Sequence, residues 1–225
     1  MQTPSKAQID RLGERLRGQA YGEAELRSLD EYRRTFGPAY DRVVADVQRI
    51  IGVPVSGRPA KSTGSIIEQL NRESIRLSQM QDIAGCRAIV ADVPQQDGAV
   101  DAIVRGLKNV AILDRRERPS YGYRAVHLIV RVNAKPVEVQ VRTSLQHVWA
   151  ETSEKLADVI DPSIKYGGGP ENARRVLDRA AAMAYKIEEL EAKLLRIGAS
   201  DGEVAQELRE TRDEYISNLR SLMSS

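Results

Sequence analysis

Tyr121–Glu151 reads YGYRAVHLIVRVNAKPVEVQVRTSLQHVWAE, and the rest of the chain is organised around it. Two apolar runs rich in Val and Ile, Ala125 to Val132 and Val137 to Val141, are separated by Asn133-Ala134-Lys135-Pro136. Alternation on either side of a turn predicts a two-stranded hairpin. In the second run Val137, Val139 and Val141 point one way and Glu138, Gln140 and Arg142 the other, because successive side chains of a strand alternate. Two readings of that polar row stay open. It is the solvated face of an antiparallel sheet, or it floors a polar cleft, since burying an acid, an amide and a base is costly. Aromatic and basic residues just upstream, with His147 and Trp149 just downstream, favour the cleft.

Immediately before the hairpin, Asp114–Arg124 carries arginines at 115, 116, 118 and 124 and tyrosines at 121 and 123. Such a loop suits phosphates and an aromatic ring, although a solvated loop would read the same way. Tyr123 is the candidate for base stacking, an interaction worth about 1–3 kcal/mol, and strand alternation puts it on one face with His127. Further upstream, Gln81–Arg87 leads into a strand expected at Ala88 to Val93. Asp82 there is a turn-former or cap; paired in space with Glu138 it would make a hard oxygen site suited to Mg²⁺. Ser56–Ser65 reads as a polar loop entering a helix with Ile66, Ile67 and Leu70 on its apolar side, capped by Ser62, Thr63 or Ser65. Backbone N–H groups at such a helix start form a phosphate cradle, or the helix is simply capped; the spacing is not that of a Walker A loop.

The remaining elements follow from periodicity. A short helix is expected over residues 5 to 20, weakened by Gly13 and Gly18. Apolar residues at three- and four-residue intervals from Glu23 to Ile51 predict a kinked helix or two joined helices, interrupted by Gly37-Pro38 and ended by Gly52-Val53-Pro54. A helix opening at Pro94 to Asp97 and a strand at Val110 to Leu113 come next. Thr143 to Asp158 reads as a helix with Trp149 in the core and His147 turned outward. After the break at Asp161-Pro162 and Tyr166–Pro170, two amphipathic helices are expected around a turn at Gly198–Gly202. Their stripes are read as Ala173, Val176, Ala180, Met183, Ile187, Leu190, Leu194 and Ile197 in the first and Val204, Leu208, Thr211, Tyr215, Leu219 and Leu222 in the second, with no titratable cluster suggesting chemistry.

Composition narrows the class. The 225 residues, 41% hydrophobic and 29% charged, suit one soluble globular domain plus an appendage. No apolar run reaches membrane-spanning length, and the start has no apolar signal-peptide core, which reads as cytoplasmic. Cys86 is the only cysteine, which excludes an intramolecular disulfide and fits a small buried apolar role. Two histidines, His127 and His147, are too few for a His-rich metal centre. A formal net charge of +2 demands no nucleic-acid partner.

GYRAVH, VEVQVRT and HVWAE, with Arg58 to Ser65 and Asp82 to Arg87 upstream, resemble the synthetase domain of RelA/SpoT-family enzymes over roughly residues 30 to 165. The resemblance implies an α/β (α+β) fold, a nucleotidyltransferase-like mixed β-sheet flanked by helices, here with a C-terminal helical hairpin. Domains are expected at 1–165, the synthetase domain, and 170–225, the hairpin, used for assembly or packing. The implied chemistry is pyrophosphate transfer from ATP to the ribose 3′-hydroxyl of GDP or GTP, giving (p)ppGpp, with Mg²⁺. By that resemblance Asp82 and Glu138 serve the metal and the attacking hydroxyl, with Glu138 the candidate general base. Arg58 and Arg87 flank the adenine of ATP, and Lys61 and Ser65 contact its phosphates. Tyr123 stacks on the acceptor base, while His127, Gln140 and Arg142, with Arg124, line the acceptor cleft. The sequence departs from the family pattern in two places: one extra residue between Arg58 and Ser65, and Gln69 in place of a frequent lysine, for which Arg72 is a possible substitute. Neither an N-terminal hydrolase region nor C-terminal regulatory domains are recognisable, so degradation of the product is not expected. The resemblance leaves alternatives: an adenine-nucleotide or tRNA 3′-end acceptor, the latter held by arginines 115, 116, 118 and 124, or an inactive nucleotide-binding module. A homo-oligomer through the C-terminal helices is also expected.

Overall fold

The computed structural model describes residues 4–18, 21–199 and 202–224. The expected helix end at residues 19 and 20 and the expected turn at Ser200 and Asp201 lie outside them. Five strands form one mixed sheet in the order β1-β2-β5-β4-β3: β1 Val55–Arg58, β2 Ala84–Val90, β3 Val110–Asp114, β4 Val126–Val132 and β5 Lys135–Thr143. The chain divides into two compact units, Met1–Ala88 with Ile103–Ile112 and Leu128–Gln140, and Ile89–Ala102 with Leu113–His127 and Val141–Ser225.

In the first unit, α1 (Lys6–Arg17) starts at a reciprocal cap: Gln8 N donates to Ser5 Oγ and Ser5 N to Gln8 Oε1. The sequence between Glu23 and Ile51 forms two helices, α2 (Glu23–Arg34) and α3 (Gly37–Ile51), parted at Thr35-Phe36, with the expected breaker Gly37-Pro38 opening α3 instead. Their apolar faces bury Leu29, Phe36, Val43 and Val47 together with Leu16, Ile66, Leu70, Leu77 and Ile83. Arg17 ties α1 to the end of α4 (Thr63–Arg72), its guanidinium donating to the carbonyls of Leu70 (2.7 Å) and Ile75 (2.6 Å). Two expectations are corrected here. Val55–Arg58 is a strand paired antiparallel to β2 rather than loop, and β2 begins at Ala84 rather than Ala88. The glycines Gly57 and Gly85, which read as loop residues, sit in the ladder, and a Cβ at Gly57 would lie 2.4 Å from the Gly85 carbonyl oxygen, so its small size lets the two strands approach.

The hairpin forms as expected, with a tighter turn. Asn133 (φ 49°) and Ala134 (φ 64°) alone connect β4 and β5, so Lys135 and Pro136 belong to the strand. Two consecutive left-handed residues make the two-residue turn whose twist matches a hairpin. Lys135 lies over the rings of Tyr32 (4.8 Å) and Phe36 (4.6 Å).

In the second unit, α5 (Val93–Gly106) begins, and α6 (Ser144–Val159), α7 (Glu171–Arg196) and α8 (Glu203–Ser224) follow. Leu145 and Val148 of α6 pack on Ala184, Ile187, Tyr215 and Leu219, while Trp149, Ala150 and Ala157 pack on Ile164, Ala173 and Leu177. The expected helical hairpin is present, but the buried stripe of α7 runs through Ala173, Leu177, Ala184, Ile187 and Glu188. Val176, Met183, Leu190 and Ile197, and Val204 and Leu222 of α8, read from the sequence as part of the inward faces, are exposed. Ala173 and Ala184 share the packed side with Leu177 and Ile187, and their small size leaves room for the neighbouring helices. No helix among the described residues is long and apolar enough to cross a membrane.

Candidate active site

In the first unit the ladder between β1 and β2 fixes which side chains share a face. Arg58 pairs with Gly85 and Ser56 with Arg87, so Arg58 and Arg87 emerge on one side as a diagonal pair about 7–8 Å apart. The same side carries Glu138 of β5, because a side chain added at Gly85 would start 3.7 Å from Glu138 Cβ and 3.9 Å from its Oε2. Gln140 is two residues further along β5 and donates to Glu138 Oε2 at 2.6 Å. An acid, an amide and two guanidinium groups thus share one sheet face.

Asp82 stands three residues before Gly85, at the entrance to β2. Its Oδ2 accepts from Lys61 Nζ at 2.6 Å, and the same ammonium donates to Gln69 Oε1. Lys61 is held in place by its own backbone N–H, which donates to the Ile83 carbonyl at 2.6 Å, and is itself buried. Gln69, which stands where the resemblance leads one to look for a lysine, is therefore a partner of Lys61. Arg72 pairs with Glu68 and Glu73. Ser62 caps α4, its Oγ accepting from Ser65 N at 3.2 Å and lying 2.7 Å from Ser65 Oγ. Cys86 lies on the opposite side of β2 in the core, where burial, reinforced by the charge of Glu138, pushes its thiol up to about 12. That thiol is inert, as expected of a buried cysteine.

In the second unit, Tyr123 is set by a tight turn. Tyr121 (φ 53°) and Gly122 (φ 88°) occupy its centre, with Ser120 and Tyr123 bridged on either side. Only glycine fits at 122, since a Cβ there would sit 2.7 Å from the Trp149 ring. The Tyr123 hydroxyl lies 2.8 Å from His127 Nε2 and accepts from Arg142 Nη2 at 3.1 Å. The Arg142 guanidinium also stacks over the Tyr123 ring at 5.1 Å. A cavity of about 170 Å³ adjoins Tyr123, with Tyr121, Trp149 and Tyr166 among its walls. Trp149 is buried, as expected, and its indole N–H donates to the Leu177 carbonyl at 2.9 Å. His147 pairs with Glu151 at 3.3 Å.

Arg124 sits differently. Its guanidinium is 2.5 Å from Glu188 Oε2 of α7 and stacks on Tyr185. Glu188 is 3% exposed, and its other oxygen accepts from Thr143 Oγ1 (2.5 Å) and Gln146 Nε2 (3.0 Å). Gln146 in turn pairs with the fully buried Gln96, whose amide also donates to the Val141 carbonyl at 2.7 Å. This network braces the segment that carries Arg142, Thr143 and the start of α6. The sequence reading missed it. The available signal was a glutamate next to Ile187 on the inward side of an amphipathic helix. Arg116 is committed as well, to Asp114 and Asp97.

Residues 57–157 match the family described as "Region found in RelA / SpoT proteins". The match covers that segment, which is similar to a RelA/SpoT region. It contains every residue assigned above to donor, acceptor or metal, whereas Glu188 lies beyond it. An uncharacterized protein of Mycobacterium tuberculosis is 41% identical over 117 residues, covering 50% of this chain and 42% of that relative. The chain thus matches less than half the length of the curated relatives. Among solved structures, small alarmone synthetase 1 from Bacillus subtilis superposes with a TM-score of 0.60 at 25% identity, covering 78% of this chain and 99% of that one. The same enzyme bound to its product pppGpp gives 0.60 at 24%, covering 75% and 96%, a likeness of fold. Residues 57–157 and their flanking helices therefore resemble small alarmone synthetase 1 in fold.

Proposed function

We propose that this protein transfers pyrophosphate from ATP to the ribose 3′-hydroxyl of GDP or GTP, making (p)ppGpp. The observation that carries the reading is the sheet face of Arg58, Arg87, Glu138 and Gln140, with Asp82 held by Lys61 at the head of β2. Arg58 and Arg87 flank the donor adenine, and Lys61 and Ser65 meet its phosphates. Tyr123 stacks on the acceptor base, and His127, Gln140 and Arg142 contact the acceptor nucleotide.

No group of three or more metal-ligating side chains occurs among the described residues. Mg²⁺ takes only one or two carboxylates from a protein and completes its shell with phosphates and water, so two acids would suffice. Asp82 and Glu138 would hold it. Bound there, the ion would supply charge neutralisation for the polyphosphate. Lys61 is the cation that ATP phosphates would draw away from Asp82, freeing that carboxylate. Glu138 takes the proton of the 3′-hydroxyl, whose oxygen attacks the β-phosphorus of ATP; the bond to the α-phosphate oxygen breaks and AMP leaves.

A tRNA acceptor is less well supported, because Arg116 and Arg124, two of the four arginines expected to line its groove, are committed to carboxylates. Self-association is proposed through the exposed Val176, Met183, Leu190 and Ile197, spaced every seven residues along α7 and just beyond its end. The test is an acceptor panel: Mg·ATP with GDP, GTP, ADP, ATP or deacylated tRNA, AMP and 3′-pyrophosphorylated products being resolved by chromatography. Product with GDP or GTP is expected, and Glu138→Gln should fold normally yet turn over about two to four decades more slowly. An active Glu138→Gln protein, or silence with every acceptor, overturns the proposal.

A further inference from the structure

The residues lining the cavity beside Tyr123 include one carboxylate, Glu154, whose chemistry the reading above does not use. Glu154 lies one turn along α6 from Ala150, and both line the cavity with Trp149 and Tyr166. Three neighbouring polar groups are engaged. The Trp149 indole N–H donates to Leu177, Lys165 pairs with Asp158 at 3.2 Å, and the Tyr123 hydroxyl meets His127 and Arg142. Glu154 is exposed and, among the described residues, has neither hydrogen bond nor ion pair.

We infer that Glu154 reads the acceptor base and selects guanine over adenine. The inference rests on the assignment of this cavity to the acceptor. Aromatic walls hold any purine by stacking, so they cannot discriminate between bases. A carboxylate can. Guanine presents two adjacent donors, N1–H and the 2-amino group, which match the two carboxylate oxygens as a bidentate, charge-assisted pair. Adenine presents at the same edge a bare N1 lone pair, which a carboxylate repels. Hypoxanthine keeps N1–H and lacks the 2-amino group, so it falls between. A site built around such hydrogen bonds rejects the base that cannot make them far more strongly than shape alone would. Glutamine at 154 would present one acceptor and one donor, which is the complement of adenine's N6–H and N1.

Trp149 is the only tryptophan and lines the cavity, so its fluorescence reports base binding without turnover. GDP, IDP and ADP would be titrated without ATP into the parent protein, Glu154→Ala and Glu154→Gln, with circular dichroism confirming the fold. AMP release with each acceptor would be measured separately. The parent should bind GDP best, IDP about tenfold more weakly, and ADP about a hundredfold more weakly or worse. Glu154→Ala should bring GDP and ADP within about threefold, and Glu154→Gln should move the preference towards ADP. A parent without guanine preference, or a Glu154→Ala protein that keeps it, overturns the inference. Guanine-selective binding through Glu154 with no AMP from any acceptor would uphold the inference while refuting the synthetase reading. AMP formed with GDP by a Glu154→Ala protein of unchanged selectivity would do the reverse.

Discussion

Replacing Glu188 by alanine removes the one carboxylate that answers Arg124, whose side chain is only 12% exposed. It also removes the acceptor for the Thr143 hydroxyl and the Gln146 amide. Breaking a buried pair from one side costs about 3–5 kcal/mol, because the surviving charge keeps its desolvation penalty without its partner. For a chain of this size each kcal/mol shifts the melting temperature by about 2–4 °C, so a fall of roughly 6–20 °C is expected. Urea unfolding followed by circular dichroism, with calorimetry, would measure it. Arg124→Leu alone should also destabilise, since it strands Glu188. Combining the two should cost clearly less than the sum, with a coupling of about 1–3 kcal/mol. A loss below about 1 kcal/mol for Glu188→Ala, or strict additivity in the double variant, would refute the reasoning. Either result would mean that solvent reaches the pair or that the helices repack around the gap.

Two further expectations concern other parts of the molecule. Burial alone would raise the Asp114 carboxyl, but the hydrogen bonds and charge of Arg116 outweigh it and hold that carboxyl below the usual carboxylate range. A depressed carboxylate contributes stability that is present above its unfolded pKa of about 3.9 and is lost as pH falls through the lower folded value. Asp114→Asn should therefore lower the melting temperature at pH 7, with the gap to the parent closing as the solution is acidified towards about pH 2. A gap of equal size at both ends would contradict this. On the outer face of α7, Met183→Glu with Leu190→Glu should convert an oligomer into a 25.0 kDa monomer by light scattering. A parent that is already monomeric would rule out self-association through this stripe.

Much of the fold was legible because its strongest signals are local. Valines at alternate positions, the break between the two apolar runs at Asn133-Ala134 and the cap at Ser62 all lie within a few residues of what they specify. The strand β1 was not, since it is four residues long, largely exposed and contains Gly57, and only pairing with β2 makes it a strand. The face of α7 was misassigned for a related reason. Apolar residues flank the helix on two sides, and which side is buried depends on the helices packed against it. The candidate site divides in the same way. Asp82, Glu138, Tyr123 and His127 were readable as residue types in pattern, and the structure places Tyr123 beside His127 as the alternation required. Arg124 read as a loop cation available to a nucleotide, because its partner Glu188 is 64 residues away.

The division of the chain has a consequence for its synthesis. The first unit is assembled from three separate stretches, the last of which ends at Gln140. As the nascent chain leaves the ribosome, β1 and β2 can pair early, but β5, the other neighbour of β2, is still to come. At about 5–20 residues per second, residues 89 to 140 take roughly 3–10 seconds to make. Throughout that interval β2, with Ala84, Cys86, Ala88 and Val90 along one side, offers an open apolar edge to chaperones or to other nascent chains. Fragments ending between residues 90 and 140 are therefore expected to aggregate rather than accumulate as a folded N-terminal half.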